Sequence, residues 1–180
     1  GAARRDLLVM GPDCGTALVS GVGLGFANVV RPGPVGLVSA SGTGAQQLMC
    51  LLDAAGIGVS HCLGVGGRDL SAHVGGRSTH RALDLLDADT STELIVVLSK
   101  PPAPQVAQEV RAHVASLRTP VVLGLLGPGR LDLTAVAADA VRAVGGAWQP
   151  PEWWPDPVER RGRYPTLRGF YAGGTLCDEA

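Results

Sequence analysis

What this sequence lacks narrows its chemistry first. Charge of neither sign prevails: 15 lysines and arginines stand against 16 acids, a net charge of −1. Non-specific nucleic-acid binding needs a basic face, and no Lys/Arg stripe with interleaved aromatics is present. No apolar run approaches the ~18 residues of a membrane-spanning helix. The opening residues, GAARRDLLVMGPD, lack the apolar centre of a signal peptide. Cys14, Cys50, Cys62 and Cys177 form neither a C-x-x-C pair nor a Cys/His metal spacing. We therefore expect four reduced thiols, no metal and a cytoplasmic protein. Low-complexity tracts are missing too, because 26 glycines and 13 prolines punctuate periodic segments.

What is present is the make-up of one globular α/β domain. At 180 residues the chain is long enough to bury a core, and 46% hydrophobic against 17% charged excludes wholesale disorder. Continuous apolar runs at 34–40, 58–64, 93–100 and 120–126 read as buried strands. Between them, 43–55, 76–89, 103–117 and 131–145 carry helical spacing, with the second helix entered at Ser78 or Thr79. That alternation predicts a flavodoxin-like parallel sheet with helices on both faces. Residues 7–11, LLVMG, read as a further short buried strand. Residues 16–33 read as an extended excursion with glycine turns, plausibly a hairpin.

After Gly146 the composition shifts. Residues 147–165 hold all three tryptophans and five prolines, and read either as a linker packed through its aromatics or as a plain surface segment. Residues 166–180, ending in YAGGTLCDEA, begin a second unit and stop about one turn into a helix. The expected organisation is a ligase-like domain at 1–146, a linker at 147–165 and the start of a second domain at 166–180. On this reading the chain is a piece of a longer protein.

The turn joining the strand at 34–40 to the next helix reads SASGTG, with no bulky side chain. A helix start offers unpaired N–H groups and the positive end of a dipole. Small residues let an anion reach that backbone, and hydroxyls add donors. Ser39, Ser41, Gly42, Thr43 and Gly44 are therefore candidates to cradle a phosphate or carboxylate, the N–H groups of Gly42, Thr43 and Gly44 pointing at it. The plainer alternative is that Ser41 or Thr43 only caps the helix. A second small turn, GVGGRDL, adds Gly66 and Gly67 at the next strand end. Arg68 and Lys100, both at strand ends, could supply positive charge, and Cys14 lies in a loop leading to the same edge. Arg68 could instead pair with Asp69, and Cys14 could be a buried small residue. His61 reads as a satisfied core group, whereas His73, His80 and His113 read as solvent-exposed.

The order GPDCGT, SASGTG, GGRDL, SKPPAP and GGTLC resembles the FdrA family over nearly the whole chain. That family is similar to the alpha subunit of succinyl-CoA synthetase and to NDP-forming acyl-CoA synthetases. The resemblance implies a ligase domain that binds phosphate, an acyl phosphate or a CoA thioester, with no covalently bound cofactor. It also implies a second helix start, at Gly173, Gly174 and Thr175, facing the first across the phosphate. One departure matters. The relay histidine of succinyl-CoA synthetases belongs in a loop that here reads GPGRLDLTAV and holds no histidine. Three readings follow. One is an acyl-CoA-synthetase-like domain; another is a component of a carbamoyltransferase that handles oxamate and carbamoyl phosphate in ureide catabolism. The third is a non-catalytic scaffold. Each expects a small anionic substrate or none, with a homo-oligomer or partner subunits, and neither nucleic acid nor membrane. Lys100, Arg68 and Cys14 are the residues the first two readings would make catalytic.

Overall fold

The computed structural model describes residues 1–5, 7–11, 14–151, 166 and 168–180. The expected second half of the 147–165 segment, including Trp153 and Trp154, lies outside them. Four parallel strands form where the apolar runs predict them: β3 (Val35–Ser39), β4 (Val59–Gly64), β5 (Leu94–Ser99) and β6 (Val121–Leu125). The excursion at 16–33 does contain a hairpin, β1 (Ala17–Val19) and β2 (Val22–Gly23), with Leu18 opposite Gly23. β1 also runs antiparallel to β4, so the sheet order is β2-β1-β4-β3-β5-β6.

Side chains alternate across the central strands, as the two-residue period of a strand requires. Val35, Leu37, Leu94, Val96 and Leu98 face one layer of helices, α1 (Gly42–Ala54) and α4 (Leu133–Ala143). Val38, Ile95 and Val97 face the other, α2 (Arg77–Ala88) and α3 (Pro104–Val114). Both faces are buried, which is why these strands read as unbroken apolar runs. A last helix, α5 (Gly174–Glu179), packs against α1.

Residues 7–11 are not a strand, and Leu7 and Val9 are exposed. β4 is hydrogen-bonded to β3 on one side and to β1 on the other. The Gly11 N–H reaches Gly64 O only at the strand's end, so the segment has no open edge to join. The second helix begins at Arg77, one residue before the expected entry.

Connections leave β3 and β5 in opposite directions: β3 leads through α1 to β4, and β5 leads through α3 to β6. The carboxyl ends of β3 and β5 therefore bound the crevice where ligands bind in open α/β sheets. Because β1 is antiparallel to β4, its amino end, with Cys14, Gly15 and Thr16, lies along the same edge.

Candidate functional site

Among the described residues four helices follow the parallel strands at this edge, and the one after β3 is built differently from those after β4 and β6. The Ser39 hydroxyl donates to the Ser41 carbonyl and accepts from the Ser41 N–H, which tightens the turn. Ser41 is the N-cap of α1, and its hydroxyl accepts the Gly44 N–H at 3.0 Å. Gly44 is thus committed to the cap, contrary to its expected role as a ligand donor. The N–H groups of Gly42 and Thr43 remain without an intrahelical partner. Thr16, buried beneath them, donates its hydroxyl to the Gly42 carbonyl at 3.2 Å and fixes the first helical residue.

A cavity of about 580 Å³ opens over this helix start. Ser41, Gly42 and Thr43 form its floor, and Gly67 and Arg68 enter from the loop after β4. Lys100, the chain's single lysine, enters from the end of β5. Gly174 and Thr175 close it from α5: Thr175, itself buried, hydrogen-bonds the Ser41 hydroxyl. The close approach is steric as well. A side chain at Gly173 would run into Thr43, and one at Gly174 into the Lys100 ammonium.

Among the described residues the cavity lining carries two cations and no carboxylate. Lys100 lies 4.0 Å from Asp178, with both side chains about half exposed. Arg68 has no ion-pair partner among the described residues, and the alternative of an Arg68–Asp69 pair does not form. Asp69 is turned inward and buried, accepting from the N–H groups of Ser78 and Thr79 and from the Thr79 hydroxyl. Gly66, at φ +89, turns the chain so that Arg68 and Asp69 diverge, a conformation that favours glycine.

Of the residues singled out from the sequence, Ser41, Gly42, Thr43, Gly67, Arg68, Lys100, Gly174 and Thr175 meet in this cavity. Ser39, Gly44, Gly66 and Gly173 shape the turns behind it. Cys14 is buried under the strand ends, its thiol directed at the Ser39 carbonyl, and does not line the cavity. All four cysteines are free. Burial, with Cys14 nearby, pushes the Cys62 thiol up to about 12, so it is no nucleophile near neutral pH. The sequence reading missed Thr16, Phe26 and Gln46, which also line the cavity. Only the antiparallel direction of β1 brings Thr16 and Phe26 to this edge, and no local motif carries that.

The histidines lie elsewhere. His61, in β4, bonds Asp89 through Nε2 at 3.0 Å and accepts the Ser20 N–H, as expected of a satisfied group. Burial opposes ionisation of Asp89, but donors from Ser91 and Thr92, with His61 nearby, hold it down to about 2. His80 and His113 are not solvent-exposed surface residues. They meet between α2 and α3 with rings 4.8 Å apart and 9° from parallel, Nδ1 facing Nδ1, and His113 bonds Asp84 at 2.7 Å. Burial first, then His113, lowers the His80 imidazole below its ordinary 6.5. Among the described residues no group of three or more His, Cys, Asp or Glu is placed to hold a metal ion. None of their helices is long and apolar enough to cross a membrane.

No family model matches the chain. It is similar to the uncharacterized protein YahF of Escherichia coli K12, 36% identical over 209 aligned positions that take in 99% of this chain and 38% of YahF. It is also similar to the malate–CoA ligase subunit alpha of Methylorubrum extorquens, 29% identical over 131 positions, 69% of this chain and 43% of that subunit. The chain thus spans less than half the length of either relative. Among solved structures it resembles the dinucleotide-forming acetyl-coenzyme A synthetase 1 of Ca. Korarchaeum cryptofilum, in complex with phosphate and ADP. That match has a TM-score of 0.52 at 23% identity, over 78% of this chain and 30% of that one. ATP citrate lyase of Methanosaeta concilii, in complex with (3S)-citryl-CoA, matches with a TM-score of 0.54 at 17% identity, over 80% of this chain and 28% of that one. The fold is therefore that of a CoA-ligase domain.

Proposed function

We propose that this chain is the ligase domain of an acyl-CoA-synthetase-type enzyme, and that its cavity holds the phosphate of an acyl phosphate. The observation that carries this reading is the pairing of an open helix start with Arg68 and Lys100 in a cavity whose described lining holds no carboxylate. In acyl transfer from phosphate to a thiol, the carbonyl carbon gains sulfur and loses the phosphate oxygen, which departs with the electron pair. The charge growing on that oxygen needs fixed donors. Here the Gly42 and Thr43 N–H groups would meet one side of the phosphate, and the two cations the others. Likeness to a malate–CoA ligase subunit and to structures that bind phosphate or citryl-CoA supports the assignment at the level of reaction class.

A second reading draws on one feature of the cavity: none of the four histidines lines it. Without a histidine to carry phosphate, the site suits a ready-made acyl phosphate, of which carbamoyl phosphate is one. An FdrA-type carbamoyltransferase component, working with partner subunits, fits that chemistry. The test is a calorimetric titration of the chain with inorganic phosphate, followed by two assays on the full-length protein with its partners. CoA- and nucleotide-dependent thioester formation would support the first reading. Phosphate release from carbamoyl phosphate with oxamate would support the second. Absence of phosphate binding would overturn both.

A further inference from the structure

The cavity is larger than a phosphate needs. At about 580 Å³ it falls in the range, about 300–1,000 Å³, that holds organic ligands. Its charge is uneven. Arg68 and Lys100 follow β4 and β5, whereas the opposite end, beside β1 and β2, is lined by Gly15 and Phe26, with no charged group among the described residues.

Phe26 does not sit there by default. The residue is 73% exposed, an unfavourable place for an apolar side chain without a partner. The backbone nevertheless holds it firmly: its N–H donates to the Gly15 carbonyl at 2.9 Å, and it forms a bridge with Thr16. Two glycines make that position available. A Cβ on Gly15 would stand 2.9 Å from the ring, and Gly25 turns at φ +100 with its missing Cβ 2.6 Å from the Gly15 carbonyl. Gln46 stands one turn into α1, on the same face as Gly42. Helical side chains lean toward the amino end, and Gln46 lines the cavity beside the anion-binding turn. Among the described residues that amide has no hydrogen-bond partner.

We infer that Phe26 and Gln46 are specificity residues that read the organic half of the ligand, and that this half carries a planar amide. The aromatic face packs on the amide plane, and the Gln46 side chain exchanges hydrogen bonds with its C=O and N–H. This rests on the anion reading above and narrows it to amide-bearing phosphates. Carbamoyl phosphate and phosphopantetheine, the phosphate-bearing arm of CoA, share that chemistry at different lengths.

The experiment is a calorimetric titration of the full chain with four probes: inorganic phosphate, phosphonoacetamide, propylphosphonate and 4′-phosphopantetheine. Phosphonoacetamide should bind more tightly than propylphosphonate, which has similar size and no amide. Phe26→Ala and Gln46→Leu should each weaken phosphonoacetamide by about five- to tenfold while leaving inorganic phosphate within twofold. A preference for phosphopantetheine over phosphonoacetamide would assign the amide to a CoA arm, and the reverse order to a carbamoyl-type group. Equal binding of phosphonoacetamide and propylphosphonate, unchanged in both variants, would overturn the inference and leave the anion site standing. Failure of inorganic phosphate itself to bind would overturn the anion reading first, and this inference with it. Unchanged circular dichroism and Tm in the two variants separate lost recognition from lost fold.

Discussion

The start of α1 and the start of α2 sit side by side on the same sheet edge, yet one is open and the other is filled. At α2 the Asp69 carboxylate, buried, accepts the Ser78 and Thr79 N–H groups. At α4 the pattern repeats: Asp132 accepts the Ala135 N–H, and Glu179 reaches across from α5 to accept the Leu133 N–H at 2.8 Å. At α3 a proline occupies the first turn and removes a donor. At α1 the Gly42 and Thr43 N–H groups are left open toward the cavity, because Ser41 satisfies Gly44 and stops there. A helix start is thus no evidence of a site in itself. What distinguishes α1 from α2 and α4 is that the chain fills those two starts with its own carboxylates and lines this one with Arg68 and Lys100.

The largest effect should come from closing the open start. Gly42→Val places methyl groups where the ligand oxygens sit, and its Cβ would meet only the Thr16 hydroxyl, at 3.3 Å. Phosphate affinity should fall about a hundredfold or more, while stability changes by about 1 kcal/mol. Calorimetry beside a thermal melt checks both. Asp69→Ala should do the opposite, stripping three hydrogen bonds from a buried carboxylate and destabilising the fold by about 3 kcal/mol. Its phosphate affinity, measured below the lowered Tm, should be unchanged.

Arg68→Ala should weaken phosphate about tenfold and flatten the salt dependence of binding, with little change in Tm. This neighbour of Asp69 would then affect binding alone, which sharpens the contrast within one loop.

The smallest effect concerns the filled start of α4. Burial raises the Glu179 carboxyl above its ordinary 4.5, although the Leu133 N–H works the other way. A raised carboxyl contributes most below pH 4.5, and that contribution fades as pH rises through the folded value. Glu179→Gln should abolish this slope in acid-range stability curves, changing stability near neutral pH by less than about 1 kcal/mol. A steeper slope in the variant would contradict the assignment.

Much of this architecture was legible because the central strands are buried on both faces. Their unbroken apolar runs located β3 to β6 within a residue or two. The SASGTG turn and Lys100, which meet in the cavity, stood out for the same kind of reason: local chemistry in a local stretch. What failed was long-range. LLVMG has strand-like composition, but composition cannot show that both sides of β4 are already taken. His80 and His113 lie 33 residues apart and meet only because α2 packs on α3. GGRDL offered two adjacent charges with no sign that one turns inward and the other outward. Phe26 and Gln46 gave no signal, since their importance depends on where β1 and α1 bring them.

The central claim is that anions bind at the start of α1 and not at its filled neighbours. Two-dimensional amide NMR of the isotope-labelled chain, titrated with inorganic phosphate, tests it most directly. The account predicts large, saturable shifts for the Gly42 and Thr43 amides, with those of Ser78, Thr79 and Leu133 unmoved. Shifts centred on α2 or α4, or none at α1 at millimolar phosphate, would contradict it.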